Sequence, residues 1–211
     1  HSNLRRQRQM CIRDRSYHHG NLKEELIKAA CVLCEREGYT KLSIRNLAKE
    51  SNVSQTAPYR HFKTKECVYA AVAERGFSKL SKVIYFDTSR KITKQHLLDS
   101  CNKYIDFGLR NANTYDLMFG TAVGKFSNYP NLLEAANNSY SNLVKILSRL
   151  TGEQEEIILA KCITIWSFVH GLVGILRKAE MVGEDVSKEL NGPISKAQDI
   201  SEDLMPYLDK V

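Results

Sequence analysis

Apolar side chains recur three and four residues apart along nearly the whole of this chain, and that interval marks one face of an α-helix rather than the alternation of a strand. Leu22, Leu26, Ala29, Ala30 and Leu33 set the pattern. Asn21 with Glu24 has the form of a capping box and Gly38 is a natural stop, so a first helix is expected over about 21–37. Ser43 is a good N-cap for a short second helix that turns Ile44, Leu47 and Ala48 inward until ESNVS interrupts it. Asn52 stands where a left-handed residue is wanted, a conformation asparagine tolerates. Ser54 then caps a third helix running to Phe62, with Pro58 at its fourth position, near the first turn where a missing N–H costs least. Thr64 opens a long fourth helix bearing Val68, Val72, Leu80, Val83 and Ile84.

Beyond residues 87–91 the helices become neutral and apolar. One is expected over about 93–111, a short one contains YDLMFG, and another starts at Pro130, a residue suited to a first helical position, and runs to about 150. Thr151 with Gln154 caps the next. Residues 157–176 are almost continuously apolar and long enough for a bilayer, but Lys161, Thr164, Ser167 and His170 argue instead for a bundle helix or one half-covered by a second subunit. A last helix is expected over about 195–208, interrupted at Pro206. With four prolines, eleven glycines and no strand-and-turn pattern, the fold class is all-α.

Charge divides the chain. Residues 1–16 and 17–80 each carry a net charge of +4 and residues 81–211 carry −1, which suggests a front module that meets a polyanion and a second module with another task. The stretch QMCIRDR at 9–15 back-translates onto the end of a transposase sequencing adaptor. Residues 1–16 are therefore set aside as a non-native or disordered segment, and Arg5, Arg6, Arg8, Arg13 and Arg15 are not counted as a DNA-reaching arm. Six cysteines in no regular framework, with no cleavable signal, read as reduced thiols of a cytoplasmic protein. Cys31 and Cys34 form a lone C-x-x-C on a helix, and His18 and His19 precede Gly20; core packing and helix positioning explain them better than a metal site. No nucleotide loop, nucleophile elbow or H-E-x-x-H occurs, so no catalytic set, metal or cofactor is expected.

Two short helices joined by a tight turn are the form of a helix-turn-helix, whose last helix enters the major groove. Gln55 can pair with adenine, and the methyls of Thr56 and Ala57 can touch thymine. Tyr59, His61 and Lys65 fall where they can grip phosphates. Phe62, at helical spacing among these, reads as core.

The stretch LSIRNLAKESNVSQTAPYRHFKTKECV resembles the DNA-binding signature of the tetracycline-repressor (TetR) family, in which a third helix ends in Tyr-x-His-Phe and is followed by a lysine that starts helix four. YHHGNLKEELIKAA, YDLMFG and WSFVHG extend the likeness to a subgroup with a Trp-x-x-x-His-Gly effector domain. Asn52 in place of the usual turn glycine, and proline where many members have leucine, depart from the pattern. The resemblance implies a helix-turn-helix domain over 17–64, a connecting helix over 65–86, and a larger helical bundle over 87–211 for ligand binding and dimerisation. It implies a homodimer paired through the last two helices, a double-stranded DNA operator as partner, and an unidentified small-molecule effector. Carried onto this chain, the DNA-contact candidates are Ser43, Arg45, Ser54, Gln55, Thr56, Ala57, Tyr59, Arg60, His61, Thr64 and Lys65; the effector-pocket candidates are Tyr104, Phe119, Tyr140, Trp166 and His170, although His170, one turn after Trp166 on the apolar helix, reads first as a hydrogen-bonded core histidine. The rival readings are a helical small-molecule binder or enzyme without specific DNA binding, and a nonspecific architectural DNA protein.

Overall fold

The computed structural model describes residues 22–87, 89, 91–187 and 191–208. The segment 1–16, the His18–His19 pair and the capping role of Asn21 lie outside them. Nine α-helices are described: α1 (Leu22–Glu37), α2 (Ile44–Glu50), α3 (Lys65–Val83), α4 (Lys94–Arg110), α5 (Ala112–Phe119), α6 (Pro130–Thr151), α7 (Glu155–Ser187), α8 (Asn191–Glu202) and α9 (Met205–Leu208). Short 3₁₀ turns occupy Tyr39–Lys41, Ala57–Arg60 and Phe126–Asn128, and no strand occurs among the described residues.

The spacing read from the sequence decides the first core. Leu26, Ala30 and Leu33 of α1 meet Leu47 of α2 and Val68 and Val72 of α3, each at most 3% exposed. Each such leucine contributes about 1.5–3 kcal/mol by leaving water. Ser43 caps α2 as expected, its hydroxyl accepting the Asn46 N–H at 3.0 Å, and Thr64 caps α3 by accepting from Cys67 N at 3.4 Å. Asn52 does adopt the left-handed conformation, at φ 52°. Ser43→Ala is expected to lower stability by about 1 kcal/mol, the usual loss for an N-cap hydroxyl, read as a fall in the urea midpoint at unchanged m-value.

The expected third helix is shorter and tighter than its sequence suggested. Only Ala57–Arg60 is helical, as a 3₁₀ turn with Pro58 in its first turn rather than at the fourth position of an α-helix. Pro58 has no N–H to return to the Ser54 carbonyl; that carbonyl accepts from Ala57 N instead, at 3.0 Å. Ser54 is not a cap, and its hydroxyl pairs with that of Thr56. The boundary between α6 and α7 also moves. Thr151 belongs to α6, where its hydroxyl donates to the Leu147 carbonyl, and Gly152 ends the helix at φ 66°. Near the C-terminus the interruption falls before Pro206, between α8 and α9.

The remaining helices build the second body. α3 runs from the first core along α6 and α5, so one helix spans both. α7 turns Ile158, Cys162, Ile165, Val169 and Val173 into the bundle, each at most 3% exposed, and α8 packs beside it. Within α7, Glu155–Lys178 is the one stretch among the described residues long and apolar enough to cross a membrane, yet that inward stripe is filled by the bundle.

Candidate nucleic-acid interface and ligand cavity

Pro58 is buried and Phe62 is 3% exposed. These two side chains root the turn in the core of α1, α2 and α3, and the residues between and before them have nowhere to go but outward. Ser54, Gln55, Thr56, Tyr59, Arg60 and His61 are all exposed, Tyr59 at 59%, as is Arg45 on α2, while Ala57 is half-buried. An exposed tyrosine of this size beside an arginine and a histidine, with an amide and two methyl-bearing side chains ahead of it, can meet both a phosphate backbone and base edges.

Three of the candidates already have work inside the fold. Ser43 and Thr64 spend their hydroxyls as N-caps. Lys65 donates its ammonium to the Thr40 carbonyl at 3.2 Å and lies over the Tyr69 ring, so it fastens the 3₁₀ turn at 39–41 to α3. Cys34 is fully buried and Cys31 half-buried, and burial pushes the Cys31 thiol up to about 11 and the Cys34 thiol up to about 12. Both are core thiols.

The second body encloses a cavity of about 500 Å³ between α3, α4, α5, α6 and α7. Of the five effector-pocket candidates, Tyr104, Phe119, Tyr140 and Trp166 line it. His170 does not. It stands behind the wall, its Nδ1 at 2.6 Å from the Tyr115 hydroxyl and 3.1 Å from that of Tyr104. Trp166 Nε1 donates to Tyr104 Oη at 3.1 Å, and the two phenols are 2.9 Å apart. One donation order satisfies every member: Trp166 to Tyr104, Tyr104 to Tyr115, Tyr115 to His170. Burial supports this order, because it lowers the His170 pKa, keeping the ring neutral and able to accept, and pushes the Tyr104 phenol up to about 12.

Sequence reasoning missed the joint between the two bodies. Glu35 of α1 accepts the backbone N–H groups of Asn113 and Thr114, each at 3.2 Å, and the Thr114 hydroxyl at 2.7 Å, while Asn113 donates its amide to the Glu35 carbonyl. A carboxylate from α1 thus caps the N-terminus of α5. α3 closes on α5 at Gly76, where a Cβ would collide with Met118 and Thr114. On its far side α5 is held to α7 by Asp116, which takes a two-pronged ion pair from Arg177 at 2.7 and 2.8 Å. No local signal betrays Glu35, whose partners lie far along the chain; Tyr115, inside the quoted YDLMFG, was within reach.

With this geometry established, comparison with known proteins supplies the family. Residues 26–72 match the model for bacterial regulatory proteins of the tetR family, and residues 97–190 match the tetracyclin repressor-like C-terminal domain. The chain belongs to the tetR family. A curated relative, the uncharacterized HTH-type transcriptional regulator YobS of Bacillus subtilis (strain 168), is 25% identical over 46% of this chain; the match spans about half, 51%, of that relative's length. Among solved structures, a protein of unknown function from Rhodococcus sp. RHA1 superposes with a TM-score of 0.67 at 22% identity, covering 87% of this chain and 97% of its own. BioQ, solved with its natural double-stranded DNA operator, superposes with a TM-score of 0.51 at 20% identity, covering 85% and 96%. At these identities the superpositions establish a shared TetR-type fold, with a helix-turn-helix body followed by a helical one.

Proposed function

We propose that this chain is a ligand-responsive, DNA-binding transcriptional regulator, a homodimeric repressor released from a near-palindromic operator when a small molecule fills the cavity. The observation that carries this reading is the exposed turn at 54–61, anchored by Pro58 and Phe62 and presenting Gln55, Thr56, Tyr59, Arg60 and His61 to solvent within a helix-turn-helix. Residues 17–64 then form the reading domain, 65–86 the connecting helix and 87–211 the effector and pairing domain. The HTH-type regulator among its relatives and the operator-bound BioQ fold support the assignment. A regulator of this kind works in the cytoplasm and is not an enzyme.

Pairing is assigned to α7 with α8 beside it. Ala160, Thr164, Ser167, Gly171 and Gly174 form an exposed strip opposite the buried Cys162, Ile165, Val169 and Val173, flanked by the half-exposed Ile157, Ile163 and Ile175. A strip of small residues lets another helix approach closely, and the flanking isoleucines supply apolar surface that water would otherwise cover. Trp166, His170 and Gly171 thereby acquire separate tasks: Trp166 lines the cavity, His170 holds the two tyrosines behind its wall, and Gly171 faces a second subunit. This division supports placing the chain in the subgroup with the Trp-x-x-x-His-Gly effector domain.

Selection of bound fragments from random DNA by the purified protein tests the function directly. The expected result is an inverted repeat with half-sites about 34–36 Å apart or a multiple of it, bound with an affinity that falls steeply with salt. Binding without enrichment of any sequence would favour an architectural protein, and no salt-sensitive binding would favour a small-molecule binder or enzyme. Replacement of Arg60 by alanine is expected to weaken all sequences alike and to lower the salt slope by about one, whereas Gln55→Ala is expected to cost about 1 kcal/mol of discrimination at one base position. Competition binding against single-base operator variants distinguishes the two.

A further inference from the structure

Among the described residues, the cavity wall carries no aspartate, glutamate, lysine, arginine or histidine. Its body is apolar and aromatic, with Phe77, Met118, Phe119, Phe126 and Trp166 among the larger side chains. The polar groups near Trp166 are spent on one another, in the chain from Trp166 through Tyr104 and Tyr115 to His170. What remains lies mostly on one stretch of α6, where Asn137, Ser139, Tyr140 and Asn142 meet the cavity. Asn142 gives its NH₂ to the Ser81 carbonyl and hydroxyl, at 3.0 and 3.1 Å, so its own carbonyl oxygen is left as an acceptor.

We infer that the effector is an uncharged, largely apolar or aromatic molecule with a single polar end, a hydroxyl or amide group, held against Asn137, Ser139 and Asn142. This deepens the regulatory reading and rests on it. An anion entering this cavity would exchange its hydration for a wall with no cationic side chain and no helix N-terminus to receive it. A cation would find no carboxylate. Aromatic faces could substitute for one, but the Phe119 ring is packed against Tyr115, Trp166 and His170, the Phe77 ring against Phe119 and Phe126, and the Tyr140 ring against Trp166. A neutral molecule loses only weak hydration and gains the apolar surface. The volume lies within the range of small-molecule sites, about 300–1,000 Å³.

Two fluorescent probes that share one aromatic skeleton isolate the charge. N-phenyl-1-naphthylamine is neutral, and 8-anilinonaphthalene-1-sulfonate is the same skeleton with a sulfonate. Titrated into the full chain, the neutral probe is expected to bind saturably, one per chain, at least about tenfold more tightly than the sulfonate. Filling the cavity by Ala136→Phe is expected to abolish that binding. Should Ala136→Phe melt early by circular dichroism, Leu143→Trp serves instead, since Leu143 lines the cavity, is only half-buried and lies on α6, away from the pairing strip of α7. Equal or tighter binding of the sulfonate, or neutral-probe binding unmoved by the filling variants, overturns the inference. Operator retention measured in the same samples judges the regulatory reading separately. A neutral preference confined to the cavity upholds the ligand class whether or not DNA is released, and release by an anionic compound alone refutes the ligand class while sparing the regulator.

Discussion

On the pairing proposed for α7, Gly171→Glu is expected to turn a dimer into a monomer and to weaken the grip on the proposed operator by about 100- to 10,000-fold, the avidity that two linked DNA-binding units lose when they part. The expectation rests on what surrounds Gly171 and Gly174. Both are exposed, and beyond the adjoining residues and backbone of α7 itself no atom of the described residues lies within 4 Å of where a Cβ would stand at either. Neither glycine is needed for packing within the chain, and each costs its helix about 1 kcal/mol relative to alanine. Two such residues on the outer strip of α7 make sense if a second helix closes on them. Glutamate is a better helix former than glycine, so α7 of a single subunit gains from the substitution while a dimer contact acquires a charge with no partner. Loss of DNA binding therefore cannot be put down to a damaged subunit. Sedimentation velocity reads the assembly and fluorescence anisotropy reads the affinity. A Gly171→Glu protein that still sediments as a dimer and binds as tightly as the parent would place the pairing surface elsewhere.

How far the sequence reaches differs between the parts of the molecule, and the difference has a physical cause. Helices are local objects: intervals of three and four residues, the hydroxyls of Ser43 and Thr64, the left-handed Asn52 and Pro130 at a first position all act within a few residues, and each was legible. Where two local signals compete, the reading slips. Ser54 offers a cap, but Pro58 cannot complete the α-helical bond that the cap would start, and a 3₁₀ turn results. Thr151 looked like a cap because Gln154 follows it, yet Gly152 between them ends the previous helix. The exposed turn at 54–61 was legible because a helix-turn-helix is itself a short-range pattern. The cavity was legible only in part: the resemblance pointed to four residues that line it, and His170, read either as a hydrogen-bonded core histidine or as pocket-lining, stands one layer behind them. Glu35 was out of reach altogether, since its role exists only once α1 and α5 meet.

If the proposed effector acts on the DNA-binding body through that meeting, Glu35→Ala reveals it. Met118 and Phe119 of α5 line the cavity, while the first turn of the same helix is capped by Glu35 and its side is pressed against Gly76 of α3. A molecule that displaces Met118 or Phe119 would press on α5, which Glu35 ties to α1 and which meets α3 at Gly76, and α1 and α3 share the core in which the turn at 54–61 is rooted. Coupling requires that the ligand favour one arrangement of this joint over another, and typical coupling of about 1–3 kcal/mol changes DNA affinity by about 5- to 150-fold. Removing the Glu35 carboxylate leaves two backbone N–H groups and the Thr114 hydroxyl without their acceptor, so stability is expected to fall by about 2 kcal/mol. The larger expected effect is on the response. With an effector found by its release of the parent protein from the operator, the ratio of DNA affinities without and with that molecule is expected to fall from the coupled range to near one in Glu35→Ala, although the effector still binds. Glu35→Gln keeps one acceptor oxygen and is expected to retain an intermediate ratio. Isothermal titration measures effector binding and anisotropy measures the DNA, so loss of coupling is separable from loss of the pocket. If Glu35→Ala binds the effector and releases DNA as fully as the parent, the force passes through α3 and Gly76 alone, and the cap is a fastening rather than a transmission.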